Sequence, residues 1–111
     1  MRNLIVKKLK TMMGTYRGQV NKNNKPHGKG VYVFSKKSKY EGMFKNGNIH
    51  GKGFFIYSNG SKHVGEFKSN FADGKGIRYL KNGKVLKGIW KEGELLHKNK
   101  LKRKFKKIMT K

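Results

Sequence analysis

The chain reads as all-β: consecutive β-hairpins forming one elongated, twisted antiparallel sheet, with a short basic helical tail at each end. Three observations lead there. Tyr40-Glu41-Gly42 returns as His63-Val64-Gly65 and as Leu86-Lys87-Gly88, 23 residues apart each time. A glycine pair keeps the same period, in Gly28-Lys29-Gly30, Gly51-Lys52-Gly53 and Gly74-Lys75-Gly76. Between these marks polarity alternates with period two, as in Tyr40, Gly42 and Phe44 against Glu41, Met43 and Lys45, which predicts strands with one apolar face. A fixed period of this size marks stacked supersecondary units, each of which buries its apolar face only against its neighbours.

Taken in order, residues 1–13 form a basic extension free of acidic residues. Ile5, Leu9, Met12 and Met13 are spaced i, i+4, i+7, i+8, which predicts an amphipathic helix there. Residues 14–97 hold the repeats, at 16–39, 40–62, 63–85 and, incomplete, 86–97. In each, a first strand carries a mid-strand glycine (Gly18, Gly42, Gly65, Gly88). A second strand follows, such as Gly51-Lys52-Gly53-Phe54-Phe55-Ile56-Tyr57, rich in aromatic and β-branched residues. Asn59-Gly60 and Asn82-Gly83 are tight-turn dipeptides. The first repeat has Lys36-Lys37 at that place and one extra residue within 21–26. Residues 98–111 form a second basic tail, with Leu101, Phe105, Ile108 and Met109 on one face of a predicted helix.

Glycine weakens a strand interior, so its recurrence predicts close approach of another group, here an aromatic ring from a neighbouring strand. Tyr16, Tyr40, Phe44, Phe67 and Trp90, with Gly18, Gly28, Gly30, Gly42, Gly51, Gly53, Gly65, Gly74, Gly76 and Gly88, form the structural set. Phe54 falls on the opposite strand face from Phe55 and is the better candidate for outside contact. Five residues after each strand glycine stand Asn23, Gly47, Asn70 and Gly93, residue types that tolerate positive φ, so a left-handed turn residue is expected at all four.

The formal charge is +24, from 29 Lys+Arg against five acidic residues, and half of it lies in the two terminal segments. Such a charge implies an anionic partner. Lys7, Lys8 and Lys10 at one end, and Lys98, Lys100, Lys102, Arg103, Lys104, Lys106 and Lys107 at the other, are the candidate anion-binding residues. The excess of lysine over arginine favours charge-based over bidentate contacts. There is no cysteine, and the four histidines do not converge: His27 and His50 occupy equivalent positions one repeat apart. No metal or cofactor is expected. No carboxylate pair, activated nucleophile or phosphate loop can be assembled, so no enzyme and no small-molecule substrate is expected. No apolar run approaches a membrane span and Leu4-Ile5-Val6 is too short for a secretory core, which predicts an intracellular protein, cytoplasmic or mitochondrial.

The pattern Tyr-x-Gly-x-(Phe/Trp)-x-x-Gly-x-x-His-Gly-x-Gly followed by Asn-Gly resembles the MORN (membrane occupation and recognition nexus) repeat. The second repeat carries it best, through Tyr40, Gly42, Phe44, Gly47, His50, Gly51, Gly53, Asn59 and Gly60; the third has His63 for the tyrosine and Asp73 for the histidine. The resemblance implies an extended hairpin sheet and non-catalytic work in scaffolding, membrane attachment or large assemblies. Three function classes follow. The first is a structural subunit of a ribonucleoprotein, ribosome-like and possibly mitochondrial, whose lysine-rich tails contact RNA phosphates beside neighbouring proteins. The second is a peripheral protein on anionic lipid or phosphoinositide. The third is a ciliary or cytoskeletal scaffold. The total charge favours the first.

Overall fold

The computed structural model describes residues 5–96, and every regular element in them is a strand. The order is β1 (Ile5–Thr11), β2 (Gly14–Val20), β3 (Pro26–Phe34), β4 (Lys39–Lys45), β5 (Asn48–Ile56), β6 (Lys62–Lys68), β7 (Phe71–Tyr79), β8 (Val85–Lys91) and β9 (Glu94–Leu95). Each pairs antiparallel with the next, giving one nine-stranded sheet in sequence order. A single layer this wide is elongated, with extents of 58 × 34 × 20 Å.

The register explains the glycine period. Gly18, Gly30, Gly42, Gly53, Gly65, Gly76 and Gly88 are direct cross-strand partners, so a row of residues without side chains crosses seven strands. The first aromatic of each hairpin lies down in that row. Tyr16 covers Gly30 and Tyr40 covers Gly53, so closely that a Cβ at either glycine would fall within the ring edge. The phenol of Tyr16 donates to the carbonyls of Gln19 (2.5 Å) and Lys29 (3.3 Å); that of Tyr40 donates to Met43 (3.0 Å) and Lys52 (3.4 Å). Both side chains are fully buried, and burial pushes both phenols up to about 12. Gly42 adds a backbone reason: its φ of +156° and its contact with Gly53 Cα leave no room for a side chain.

Around these tyrosines runs a chain of edge-to-face contacts, the arrangement that ring quadrupoles favour. Tyr16 meets Phe44 at 5.0 Å, Phe44 meets Tyr40 at 5.1 Å, Tyr40 meets Phe67 at 5.2 Å, Phe67 meets His63 at 5.4 Å and His63 meets Trp90 at 4.7 Å. The buried core is therefore a line along one face, completed by Val20, Ile49 and Ala72.

The β4–β5, β6–β7 and β8–β9 turns are each tied to the preceding hairpin by one recurring hydrogen bond. Gly47 N donates to Pro26 O, Asn70 N to Ile49 O and Gly93 N to Ala72 O. Gly47, Asn70 and Gly93 all have positive φ, as expected; in the first repeat the inserted residue moves the position from Asn23 to Asn24, at φ 60°. Asn21 organises that longer loop through Oδ1, which accepts from Asn23 N and Lys25 N.

One expectation is corrected. Residues 5–11 are not helical: Ile5–Thr11 is β1, in register with β2 over its whole length. The helical spacing of Ile5, Leu9, Met12 and Met13 was the weaker signal, because β2 offers an unpaired strand edge two residues away. Leu9 then packs against the core opposite Tyr16, and Thr11 Oγ1 accepts from Met13 N and Gly14 N to shape the turn. The expected C-terminal helix and its lysines lie outside the described residues.

Gly53→Ala should cost about 3 kcal/mol in chemical denaturation, because the methyl displaces the Tyr40 ring. Gly83→Ala, with nothing within 4 Å, should cost only the strain of its positive φ, about 1 kcal/mol.

Candidate functional site

Strand alternation divides the side chains of this single layer between two chemically different faces. The face over the glycine row is aromatic. Its outer layer is a second ladder of half-buried rings, stacked rather than edge-on: Tyr32 on Phe34 (4.6 Å), Phe34 on Phe55 (5.8 Å) and Phe55 on Tyr57 (4.5 Å). Beside it lies a trough of about 410 Å³ lined by Met13, Tyr32, Phe34, Phe44, Ile49 and Phe55, among others.

The opposite face is lysine and aliphatic. Lys8 on β1 and Arg17 on β2 begin it, and Lys29, Lys39, Lys52, Lys62, Lys75 and Lys87 continue it, one on each of β3 to β8. Between these cations stand apolar residues. One cross-strand row reads Val33, Lys39, Ile56, Lys62, Tyr79, Val85, with Val33, Tyr79 and Val85 exposed by 48%, 44% and 53%. Phe54 is here, as its position in the alternation predicts, in a shallow depression of about 670 Å³ with Val64, rimmed by Glu41, Lys52, Glu66 and Lys75. Glu66 is partly engaged, accepting from Lys75 N through Oε1.

Of the predicted anion-binding residues, Lys8 and Lys10 sit on the lysine face. Lys7 is on the other side of β1, where it donates to Asn24 Oδ1 at 2.8 Å and opposes Gly18 at the end of the glycine row. The lysines from Lys98 onward lie outside the described residues. His27 and Asp73 have a structural task in equivalent positions: His27 Nδ1 accepts from Asn46 N and Asp73 Oδ2 from Glu92 N, each supporting the next turn. Among the described residues no helix is long and apolar enough to cross a membrane, and no cluster of three or more His, Cys, Asp or Glu is placed to hold a metal.

One constellation was not foreseen. At the tyrosine position of the third repeat, His63 is fully buried. Its Nδ1 accepts from Arg78 Nε at 3.2 Å, so its own proton is on Nε2, which has no hydrogen-bond partner. Arg78 also donates from Nη2 to Tyr57 Oη at 3.1 Å, and its guanidinium lies 4.3 Å over the Trp90 ring and 5.1 Å from that of Tyr57. Burial, helped by the Arg78 charge, lowers the His63 pKa to about 4. The signal that could have found it is the repeat column itself: Tyr32 and Phe55 are followed 23 residues on by Arg78.

A MORN-repeat family model matches residues 16–39, 40–62 and 63–85, the same three units read from the period. No curated protein matches the chain.

Because His63 is neutral when folded and ionises near 6.5 when unfolded, the unfolded state binds the extra proton between these values. Its contribution to stability is complete above about 6.5 and is lost as pH falls toward about 4. Thermal melts from acid to neutral pH should show this slope, and His63→Tyr should remove much of it.

Proposed function

Since the chain belongs to the MORN-repeat family, we propose that it is a non-catalytic scaffold that docks on an anionic membrane surface through its lysine-aliphatic face. MORN repeats suggest scaffolding or an interaction with membranes or proteins, and the segregation of charge is the observation that selects among these. Charge spread over both sides of the repeat body would count against a membrane, which touches one side. In this sheet each of β3 to β8 turns a lysine to the same face. The exposed valines and tyrosine between those lysines supply what lipid rewards and a phosphodiester backbone does not: apolar area that leaves water, at about 25 cal/mol per Å². Each lysine near an anionic leaflet adds about 1 kcal/mol.

The ribonucleoprotein reading rests on total charge and on terminal lysines, of which Lys7, Lys8 and Lys10 lie on β1 and those from Lys98 onward lie outside the described residues. The two readings differ in their apolar term, so the test perturbs charge and apolar area separately. The full chain is titrated with phosphatidylserine–phosphatidylcholine vesicles and with a folded RNA, from roughly 50 to 300 mM salt. Lys39→Gln/Lys62→Gln/Lys87→Gln should weaken vesicle binding roughly a hundredfold. Val33→Ser/Val85→Ser should weaken vesicle binding about tenfold and leave RNA binding unchanged. Vesicle binding indifferent to both sets, with tighter binding to RNA, overturns the membrane reading in favour of the ribonucleoprotein.

A further inference from the structure

We propose that the aromatic face, which a membrane on the lysine side would leave free, is a docking site for an amphipathic helix of a partner protein, with Arg78 as the anchor for one of its carboxylates. The starting point is a triple departure from the repeat pattern. Where the preceding repeats have Tyr16 and Tyr40, the third has His63. Where they have Tyr32 and Phe55, it has Arg78. Where they have Phe44 and Phe67, the incomplete fourth has Trp90. These three residues touch one another.

The change is costly as architecture. Tyr16 and Tyr40 each donate to two backbone carbonyls, whereas His63 leaves Nε2 buried and unpartnered. A buried donor without an acceptor is unfavourable, and concentrated breaches of a local rule are expected at functional sites. What the change produces is a guanidinium fixed on three sides, by His63, Tyr57 and the Trp90 ring, none of them a carboxylate. Nη1 has no hydrogen bond among the described residues, and Arg78 is only half-buried. An immobilised guanidinium with a free edge is suited to a carboxylate, because its donors are already oriented.

The surroundings choose the class of partner. Over β3 to β8, Arg78 is the one permanently charged side chain on this face, so a polyanion would find a single contact, while a single acidic side chain finds its complement. The strands β2 to β7 are paired on both sides, so a peptide cannot add there as a strand and must bring its own backbone hydrogen bonds, as a helix does. Phe55, His63 and Arg78 are successive cross-strand partners, which puts Arg78 about 10 Å from the trough beside Phe55. A helix lying across the strands covers that distance in about seven residues, two turns, and presents both positions on one face. Its aliphatic residue would enter the trough between Met13, Phe34 and Phe55, where methionine adapts to shape, and its acidic residue would meet Arg78.

The probe is a helix-forming peptide of alanine and glutamine with leucine at its third and sixth positions and glutamate at its tenth, compared with the same peptide carrying glutamine at the tenth. Trp90 is the one tryptophan of the chain and lies under Arg78, so its fluorescence reports occupancy; amide NMR shifts report the face. With the full wild-type chain, the glutamate peptide should bind about tenfold more tightly than the glutamine peptide, with shifts on the aromatic face. With Arg78→Gln the two peptides should bind alike, whereas Lys62→Gln on the opposite face should preserve the difference. Equal binding of the two peptides to the wild-type chain, or shifts confined to the lysine face, overturns the proposal. That comparison uses the unaltered protein and so stands whatever the variants do to folding.

Discussion

The whole sheet depends on one packing relation: a tyrosine ring lying flat where two neighbouring strands have glycine. A single-layer sheet has no second layer against which to bury side chains, so its rings must be buried against its own backbone. The row from Gly18 to Gly88 makes this possible, and Tyr16 and Tyr40 show the relation in full, with the ring over the glycines and the phenol donating to carbonyls on both sides of the row. The phenol's bonds matter as much as the ring's contact, because a buried hydroxyl without acceptors would offset much of the gain from burying the ring.

From that relation follows the division of faces. If one side of every strand is committed to the ring-and-glycine line, the other side is released from any duty to the core. Lysines can stand there beside valines and isoleucine without a stability penalty large enough to exclude them, as in the row from Val33 to Val85. Within β3 to β8 the lysines are thus not smeared over both sides: they stand on the face that meets the outside, opposite the face that packs, in a fold only one layer thick.

Much of this could be read beforehand. The 23-residue period gave the hairpins, the structural glycines and the positive-φ turns, since each depends on local residue type repeated in register. Phe54 could be assigned to the outer face by counting alternate residues. The strand at Ile5–Thr11 could not be separated from a helix, because a short apolar pattern fits both and the decision came from the free edge of β2, a tertiary fact. The shift from Asn23 to Asn24 followed the insertion, which alignment by counting alone passed over. The His63, Arg78 and Trp90 cluster was hidden for a different reason. His63 stands as a replacement for tyrosine, Trp90 fits the aromatic position and Arg78 falls outside the motif, and only the register brings the three columns into contact.

That cluster also shows how the repeats influence one another. The edge-to-face chain links each repeat to the next through one ring, from Tyr16 to Phe44, then Tyr40, Phe67, His63 and Trp90. Stability in such an array is set by nearest-neighbour terms, so the weakest link decides where it opens first. His63 is that link on two counts: it lacks the paired carbonyl bonds of Tyr16 and Tyr40, and the ring it meets next, Trp90, stands on β8 beside β9, which among the described residues pairs only at Trp90 and Lys91. At the opposite edge β1 is in register with β2 over seven residues, and Lys7 closes the glycine row. Among the described residues the array is thus paired over seven residues at β1 and over two at β9, and Arg78 lies two strands from the latter, held in place by its own contacts with His63, Tyr57 and Trp90.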